Sequence, residues 1–233
     1  MEPYKILKPF KPNAVAKRSG AYSFPTYIEK MARRFLLHHG AEKDAEDENF
    51  LKLGLHWRYN KGDWSNRCQS TSRGSSDDKT ELRHEQCNIL HEINGSYVGN
   101  AVTNWWKLMI RQDPDLAQDE IPVIYLAAPP DDSDLVENFV TELTKQFLVL
   151  TNLDLHAWIL DTYSSDCCIL YDNFQEIVSL VEQVLMKNSA GFISWPSSSW
   201  SGRVNFLRSA TLSGQFQTSI FDIIAIEKNK LKK

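Results

Sequence analysis

The stretch from Asn94 to Pro130 constrains the fold of this chain more than any other. It reads as a glycine-containing turn, an apolar helix (101–112) and a near-continuous apolar run (121–128) that two prolines close. A run without polar alternation is typical of a strand that is covered on both faces. Turn, helix and buried strand in this order predict one unit of a parallel α/β sheet.

The rest of the chain carries alternating helical and strand patterns. Amphipathic spacing predicts the helices, and short apolar runs predict the strands. The predicted helices cover 25–39, 41–53, 79–93, 133–149 and 173–187, and the predicted strands cover 155–160, 192–195 and 216–226. This order favours an α/β fold with a mostly parallel sheet flanked by helices, preceded by an N-terminal helical segment.

Length and composition indicate one globular domain. Of the 233 residues, 42% are hydrophobic and 24% are charged, and we assign residues 23–233 to a single α/β domain. Residues 1–22 are predicted to form a basic extended arm, 62–78 a flexible loop and 227–233 a basic tail. No apolar run approaches the ~18–20 residues of a membrane helix. The N-terminal residues lack the apolar core of a secretory signal, so we expect an intracellular protein, cytoplasmic or nuclear.

Charge is distributed unevenly along the chain. Residues 1–40 carry eight Lys/Arg against two acids, and residues 187–233 carry seven against two. Residues 113–176, in contrast, carry fourteen acids and one lysine. The basic ends could bind a polyanion such as nucleic acid. They could instead fold back onto the acidic band or remain solvated, and these alternatives stay open.

The turn before the apolar helix has the spacing of a phosphate-binding loop without its ligands. In the motif G-x-x-x-x-G-K-[S/T], Asn94 takes the position of the first glycine and Gly99 that of the second. Asn100 then replaces the lysine and Ala101 replaces the hydroxyl residue. The charge that would hold the β- and γ-phosphates and one ligand of Mg²⁺ are therefore missing.

The region around this turn resembles the core of RecA-like and AAA+ ATPases, over about residues 90–165. The strand at 121–128 follows the loop helix as in that family, and the run that ends at Asp161 is similar to a Walker B strand. The resemblance implies a degenerate P-loop core with little or no ATP hydrolysis, like the subunits that hold complexes together. The alternative is a plain helical link whose glycines act as caps.

Aspartates and a His/Cys face are the candidate metal sites. Aspartates follow the predicted strands at the edge where a parallel sheet presents ligands, namely Asp131, Asp132, Asp161 and Asp166. Two of them beside one metal could hydrolyse a phosphodiester, although capping and turn formation are the simpler roles. His84, Cys87 and His91 share a helix face, and Cys68 or one of His38, His39 and His56 could complete a zinc site. An exposed polar face that happens to carry histidines is the simpler interpretation, so we assign no metal and no cofactor.

The four cysteines predict the redox environment of the chain. In a chain without a secretory signal they predict a reducing compartment and free thiols. The adjacent pair Cys167-Cys168 fits no common metal or redox spacing. We interpret both residues of that pair as strand or turn residues.

Aromatic and basic side chains near the C-terminus form the predicted partner-binding surface, consisting of Trp195, Trp200, Arg203 and Arg208. Trp and Arg are favoured anchors of protein interfaces, and their combination also suits single-stranded nucleic acid. We therefore predict a non-catalytic subunit or adaptor of a macromolecular complex, with protein partners first and nucleic acid second. The alternative is a metal-dependent hydrolase or nuclease that uses the strand-end aspartates.

Overall fold

The computed structural model describes residues 24–40, 51–58, 68, 86–89, 93–117, 121–128, 133–163, 173–196, 198–209 and 216–231. Their strands are β1 (Leu51–His56), β2 (Val123–Ala127), β3 (Leu148–Thr151), β4 (Gly191–Ser194) and β5 (Phe216–Ser219). These strands form one sheet in the order β3-β2-β1-β4-β5, and every neighbouring pair is parallel. The predicted parallel α/β fold is therefore confirmed.

Helices cover both faces of this sheet. They are α1 (Thr26–His38), α2 (Gly95–Gln112), α3 (Ser133–Leu143), α4 (Asn152–Tyr163), α5 (Phe174–Asn188), α6 (Ser199–Ser209) and α7 (Ile220–Leu231). One face packs against α2, α3 and α7, and the other packs against α1, α4, α5 and α6. None of the described helices combines the length and apolar character needed to cross a membrane. The two apolar cores explain why the central strands are buried on both sides.

Helix α2 starts within the glycine-containing turn. Asn94 caps it, since its side-chain oxygen accepts a hydrogen bond from the N–H of Tyr97 at 2.8 Å. Gly95 lies against α3, where a Cβ atom would come within 2.5 Å of the carbonyl oxygen of Leu135. Glycine at this position therefore permits the close approach of two helices.

The predicted strand at 155–160 is wrong, because the chain forms β3 at Leu148–Thr151 and then enters α4 directly. Thr151 ends the strand and caps the helix. Its N–H and its hydroxyl both donate to Asp154 Oδ2, at 2.7 and 2.8 Å. The buried residues that follow recur at helical spacing and are Leu155, Trp158 and Ile159. The apolar run at 155–160 therefore lies entirely within a helix.

The predicted strand at 216–226 is correct only in its first part. β5 ends at Ser219, and α7 begins at Ile220. The hydroxyl of Ser219 accepts a hydrogen bond from the N–H of Phe221 at 3.2 Å, which satisfies a donor at the start of the helix. α7 extends to Leu231 and so includes most of the predicted basic tail.

The central strand β1 replaces the end of the helix predicted at 41–53. It pairs in parallel with β2 on one side and β4 on the other. Gly54 lies where α5 crosses it, and a Cβ atom there would collide with the side chain of Met186. The predicted arm at 1–22 lies outside the described residues, as do 41–50 and most of the segments predicted at 62–78 and 79–93.

Candidate functional site

A cleft of about 720 Å³ opens at the carboxyl ends of the strands. Its walls are the residues that follow β1, β2 and β3, one face of α5, and Trp200 of α6. This volume lies within the ~300–1,000 Å³ that small-molecule sites occupy. The cleft is therefore large enough for a ligand of nucleotide or cofactor-fragment size.

The strand order explains the position of the cleft. The chain places β2 and β3 on one side of β1 and then crosses over to place β4 and β5 on the other side. Where the connections leave on opposite faces of a parallel sheet, a crevice opens at the carboxyl ends of the strands. α5 precedes β4, and it presents Gln175, Ser179 and Glu182 to the cleft at helical spacing.

Glu182 supplies an enclosed carboxyl group to this cleft. Tyr125, in the middle of β2, donates its phenolic hydrogen to Glu182 Oε1 at 3.1 Å. Burial raises the pKa of Glu182 from its ordinary 4.5 to about 7, while the hydrogen bond from Tyr125 acts in the opposite direction. A carboxyl group that is partly protonated near neutral pH can both accept and donate a proton, as general acid–base catalysis requires.

His56, the last residue of β1, supplies an uncharged imidazole. Its Nδ1 lies 2.6 Å from Ser201 Oγ, and its ring packs against the indole of Trp200 with 4.3 Å between the centroids. Burial, and secondly the charge of Arg58, lower the pKa of His56 from 6.5 to about 3. At neutral pH the ring therefore has one donor and one acceptor nitrogen.

Ser201 holds His56 in place. Its hydroxyl oxygen also accepts the backbone N–H of Trp195 at 3.1 Å, and the residue is only 2% exposed. A serine enclosed in this way orients the imidazole and is not placed to attack a ligand in the cleft. The sequence has no G-x-S-x-G motif, which agrees with this structural role.

Trp200 forms one end of the cleft in a fixed orientation. Its indole Nε1 donates to Ser179 Oγ at 3.0 Å, in addition to its contact with the ring of His56. Near the end of β3, His156 packs edge-on against Phe174 with centroids 5.1 Å apart, and burial lowers its pKa. The cleft therefore combines rigid aromatic surface with polar groups whose charge is suppressed by burial.

The four predicted partner-binding residues separate into two groups. Trp200 lines the cleft, and Arg203 is exposed on α6 with its guanidinium over the ring of Phe24 at 5.8 Å. Trp195 and Arg208 are 3% and 0% exposed. Arg208 donates to main-chain carbonyl oxygens around the end of α5, those of Met186, Lys187, Ser189, Ala190 and Phe216. Trp195 and Arg208 therefore do not belong to a partner surface of the folded chain.

The predicted aspartate site is not assembled by the described residues. Asp161 lies on the exposed side of α4 instead of after a strand, so its predicted Walker B role is wrong. Asp131, Asp132 and Asp166 lie outside the described residues. Among the residues that the structure describes, no group of three His, Cys, Asp or Glu side chains could hold a metal ion.

Cys68 and Cys87 are joined in a disulfide, with their Cα atoms 5.8 Å apart. The prediction of free thiols is therefore wrong for these two residues, because the helical turn at 86–89 brings Cys87 within bonding distance of Cys68. A disulfide sulfur is not the thiolate that zinc binds. The predicted partners His84 and His91, and the pair Cys167-Cys168, lie outside the described residues.

Sequence reasoning missed both titratable groups of the cleft. His56 entered the sequence analysis only as a possible zinc ligand, and its place at the end of a strand was not recognised because the start of β1 was predicted as the end of a helix. Glu182 had a usable signal, since it lies on α5 between the buried residues Val178 and Leu185, four positions before it and three after it. A carboxylate within an apolar helix face is rarely found without a partner or a function.

The glycine-containing turn does not line the cleft. Gly95 and Gly99 lie in α2 and contact α3, and residues 57–94 separate this helix from the central strand β1. The degenerate P-loop stays a prediction from sequence.

Comparison of the chain with family models, with curated proteins and with solved structures gives no match. The interpretation of the cleft therefore rests on its geometry.

Proposed function

We propose that this protein binds a small polar molecule in the cleft and that Glu182 exchanges a proton with it. The observation that carries the proposal is the enclosed Glu182 carboxyl group in a ligand-sized cleft at the carboxyl ends of parallel strands. A carboxyl group whose proton is held near neutral pH is characteristic of catalytic sites.

The neighbouring groups have distinct roles in this proposal. The carboxylate of Glu182 accepts a proton from an O–H or N–H group of the ligand, and the carboxylic acid that results can return the proton to the same group. Tyr125 positions Glu182 through its hydrogen bond. His56 contributes a neutral hydrogen-bonding group, because Ser201 and Trp200 fix the plane of its ring.

NMR spectroscopy on the whole chain tests the proposal. A library of polar fragments is added to ¹³C,¹⁵N-labelled protein, and the Glu182 carboxyl is followed by ¹³C detection as a function of pH. We expect shift changes to cluster at His56, Ser179 and Glu182, and the carboxyl to titrate near pH 7. Fragment binding should change with pH in the wild type and not in Glu182→Gln.

Glu176→Gln is the matched control, because Glu176 lies on the same helix with its side chain exposed. It should retain the pH dependence of the wild type. Fragments that distribute over the surface without preference for the cleft would contradict the binding role. An identical pH dependence in Glu182→Gln would contradict the role of Glu182 in proton exchange.

The adaptor function is a second proposal, supported by the outer face of α6. Arg203 is exposed there, and Phe206 one turn further is 39% exposed. Arg and aromatic side chains are common interface anchors. Replacing both by serine leaves the cleft unaltered, so a partner that binds this variant as tightly as the wild type would contradict the second proposal.

A further inference from the structure

We infer that the ligand class of the cleft is a nucleoside monophosphate, with its base stacked on Trp200 and its phosphate bound by Arg58. This inference rests on the ligand-binding role proposed above and adds the chemistry of the ligand to it. Four features support it: the size of the cleft, the indole surface of Trp200, the hydrogen-bonding groups of α5 and the positive charge of Arg58.

The dimensions of the cleft suit an elongated ligand. Its walls extend from Leu153, after β3, to Trp200, after β4, and the ends of β2 and β1 lie between them. At the spacing of neighbouring strands this span is roughly 14 Å. With a volume of about 720 Å³, the cleft accommodates a base, a sugar and one phosphate in extended form.

Trp200 provides the surface for the base. The indole is half-buried, and its hydrogen bond to Ser179 and its contact with His56 fix its orientation before any ligand arrives. A ring that is already fixed loses little conformational freedom when a base stacks on it. The ring of Trp57 is fully buried, so among the described residues it does not join Trp200 in the aromatic cage that would favour an organic cation.

The polar groups of α5 suit the edge of a base. Glu182 accepts only one hydrogen bond from Tyr125, which leaves its carboxyl oxygens able to accept amino or imino hydrogens. Gln175, on the same face of the helix, adds an amide that can both donate and accept. Nucleobases combine such donors and acceptors in one plane.

Arg58 supplies the positive charge for a phosphate. Among the described residues that line the cleft it is the only lysine or arginine, and it is exposed next to His56. A guanidinium binds phosphate oxygens through paired hydrogen bonds. β1 continues into Trp57 and Arg58 without the glycine-rich turn that binds a pyrophosphate, so a single phosphate fits better than a dinucleotide.

Isothermal titration calorimetry on the full chain tests this inference. The probes are adenosine and guanosine 5′-monophosphates, the corresponding nucleosides, and inorganic phosphate. We expect the monophosphates to bind about tenfold more tightly than the nucleosides, since Arg58 is exposed and its phosphate contact competes with water. Inorganic phosphate alone should bind too weakly to detect.

Three variants distinguish the contacts. Arg58→Gln should reduce monophosphate affinity about tenfold, to that of the nucleoside, and leave nucleoside affinity unchanged. Trp200→Leu should weaken both ligands by at least about fivefold, the lower range for loss of a base stack. Arg203→Gln, which removes an exposed arginine of α6 outside the cleft, should change neither affinity. Arg58 is exposed, so Arg58→Gln should fold normally. The inference can therefore be tested with this variant even if Trp200→Leu does not fold.

Two results would overturn the inference. Equal affinity for phosphate and for the monophosphates would mean that the base makes no contact. Failure of the nucleotides to bind, while fragments occupy the cleft in the NMR experiment, would reject the nucleotide class and leave the proposed function intact. Failure of both experiments would reject both proposals.

Discussion

Replacing Glu182 by glutamine should make the protein more stable at alkaline pH. The folded chain holds the proton of Glu182 more tightly than the unfolded chain does, since burial raises its pKa from 4.5 to about 7. Stability from this group is complete below pH 4.5 and is lost as the pH rises through 7. At 1.36 kcal/mol per pKa unit, the loss approaches about 3 kcal/mol by pH 8.

Glutamine avoids this loss because it does not ionise. Its amide oxygen can still accept the hydrogen bond that Tyr125 donates to Glu182 Oε1 at 3.1 Å. We therefore expect Glu182→Gln to have a free energy of unfolding within about 1 kcal/mol of the wild type at pH 5 and about 3 kcal/mol above it at pH 8.

Urea denaturation at several pH values measures this difference. His56, whose pKa burial lowers to about 3, destabilises the folded chain as the pH falls below 6.5, but this effect is common to both proteins and cancels. Glu176→Gln, on the exposed side of the same helix, should follow the wild type. Equal stability of Glu182→Gln and wild type at pH 8, or a difference that does not vary with pH, would refute the reasoning.

Further replacements test the packing of the fold. Arg208→Met should lower the unfolding free energy by about 3–5 kcal/mol in urea titrations, because several buried carbonyl oxygens lose their donor. Gly95→Ala should destabilise by about 1–3 kcal/mol, since the new methyl group meets the backbone of α3, whereas Gly202→Ala, with open space around its Cβ, should be neutral or slightly stabilising in thermal melts. Cys87→Ser, which removes the disulfide to Cys68, should cost about 3 kcal/mol, and thiol titration of the unfolded, unreduced wild type should find two fewer thiols than cysteines.

Periodicity predicted the fold class because the helices and the strand β2 have strong patterns. α5 has an apolar face over its full length, and β2 is apolar at each of its five positions. Two of the errors fell where a strand passes directly into a helix. The hydrogen bonds from the N–H and the hydroxyl of Thr151 to Asp154 set the boundary between β3 and α4, and these polar residues occupy only a few positions before the apolar run at 155–160.

The site was less predictable than the fold, because its contacts join distant parts of the chain. His56 and Ser201 are 145 positions apart, and Tyr125 and Glu182 are 57 apart. Local pattern gives no information about such pairs. Arg208 illustrates the opposite error, since a basic residue near tryptophans looked like an interface anchor and instead binds main-chain carbonyl oxygens in the interior.

Glu182 and His56 link the stability of the protein to the charge of its cleft. Burial favours the neutral form of each group, since it raises the pKa of Glu182 to about 7 and lowers that of His56 to about 3. Between about pH 3 and pH 7 the folded chain therefore keeps both groups uncharged. In that range Arg58 supplies the charge of the cleft, and an anionic ligand meets no opposing carboxylate. Above pH 7 Glu182 is ionised in the folded chain too, so the stability lost between pH 4.5 and pH 7 is not regained and the carboxylate repels an anion. One ionisation therefore links both properties, and Glu182→Gln should remove the part of each pH dependence that arises from Glu182, while the low-pH effect of His56 on stability remains.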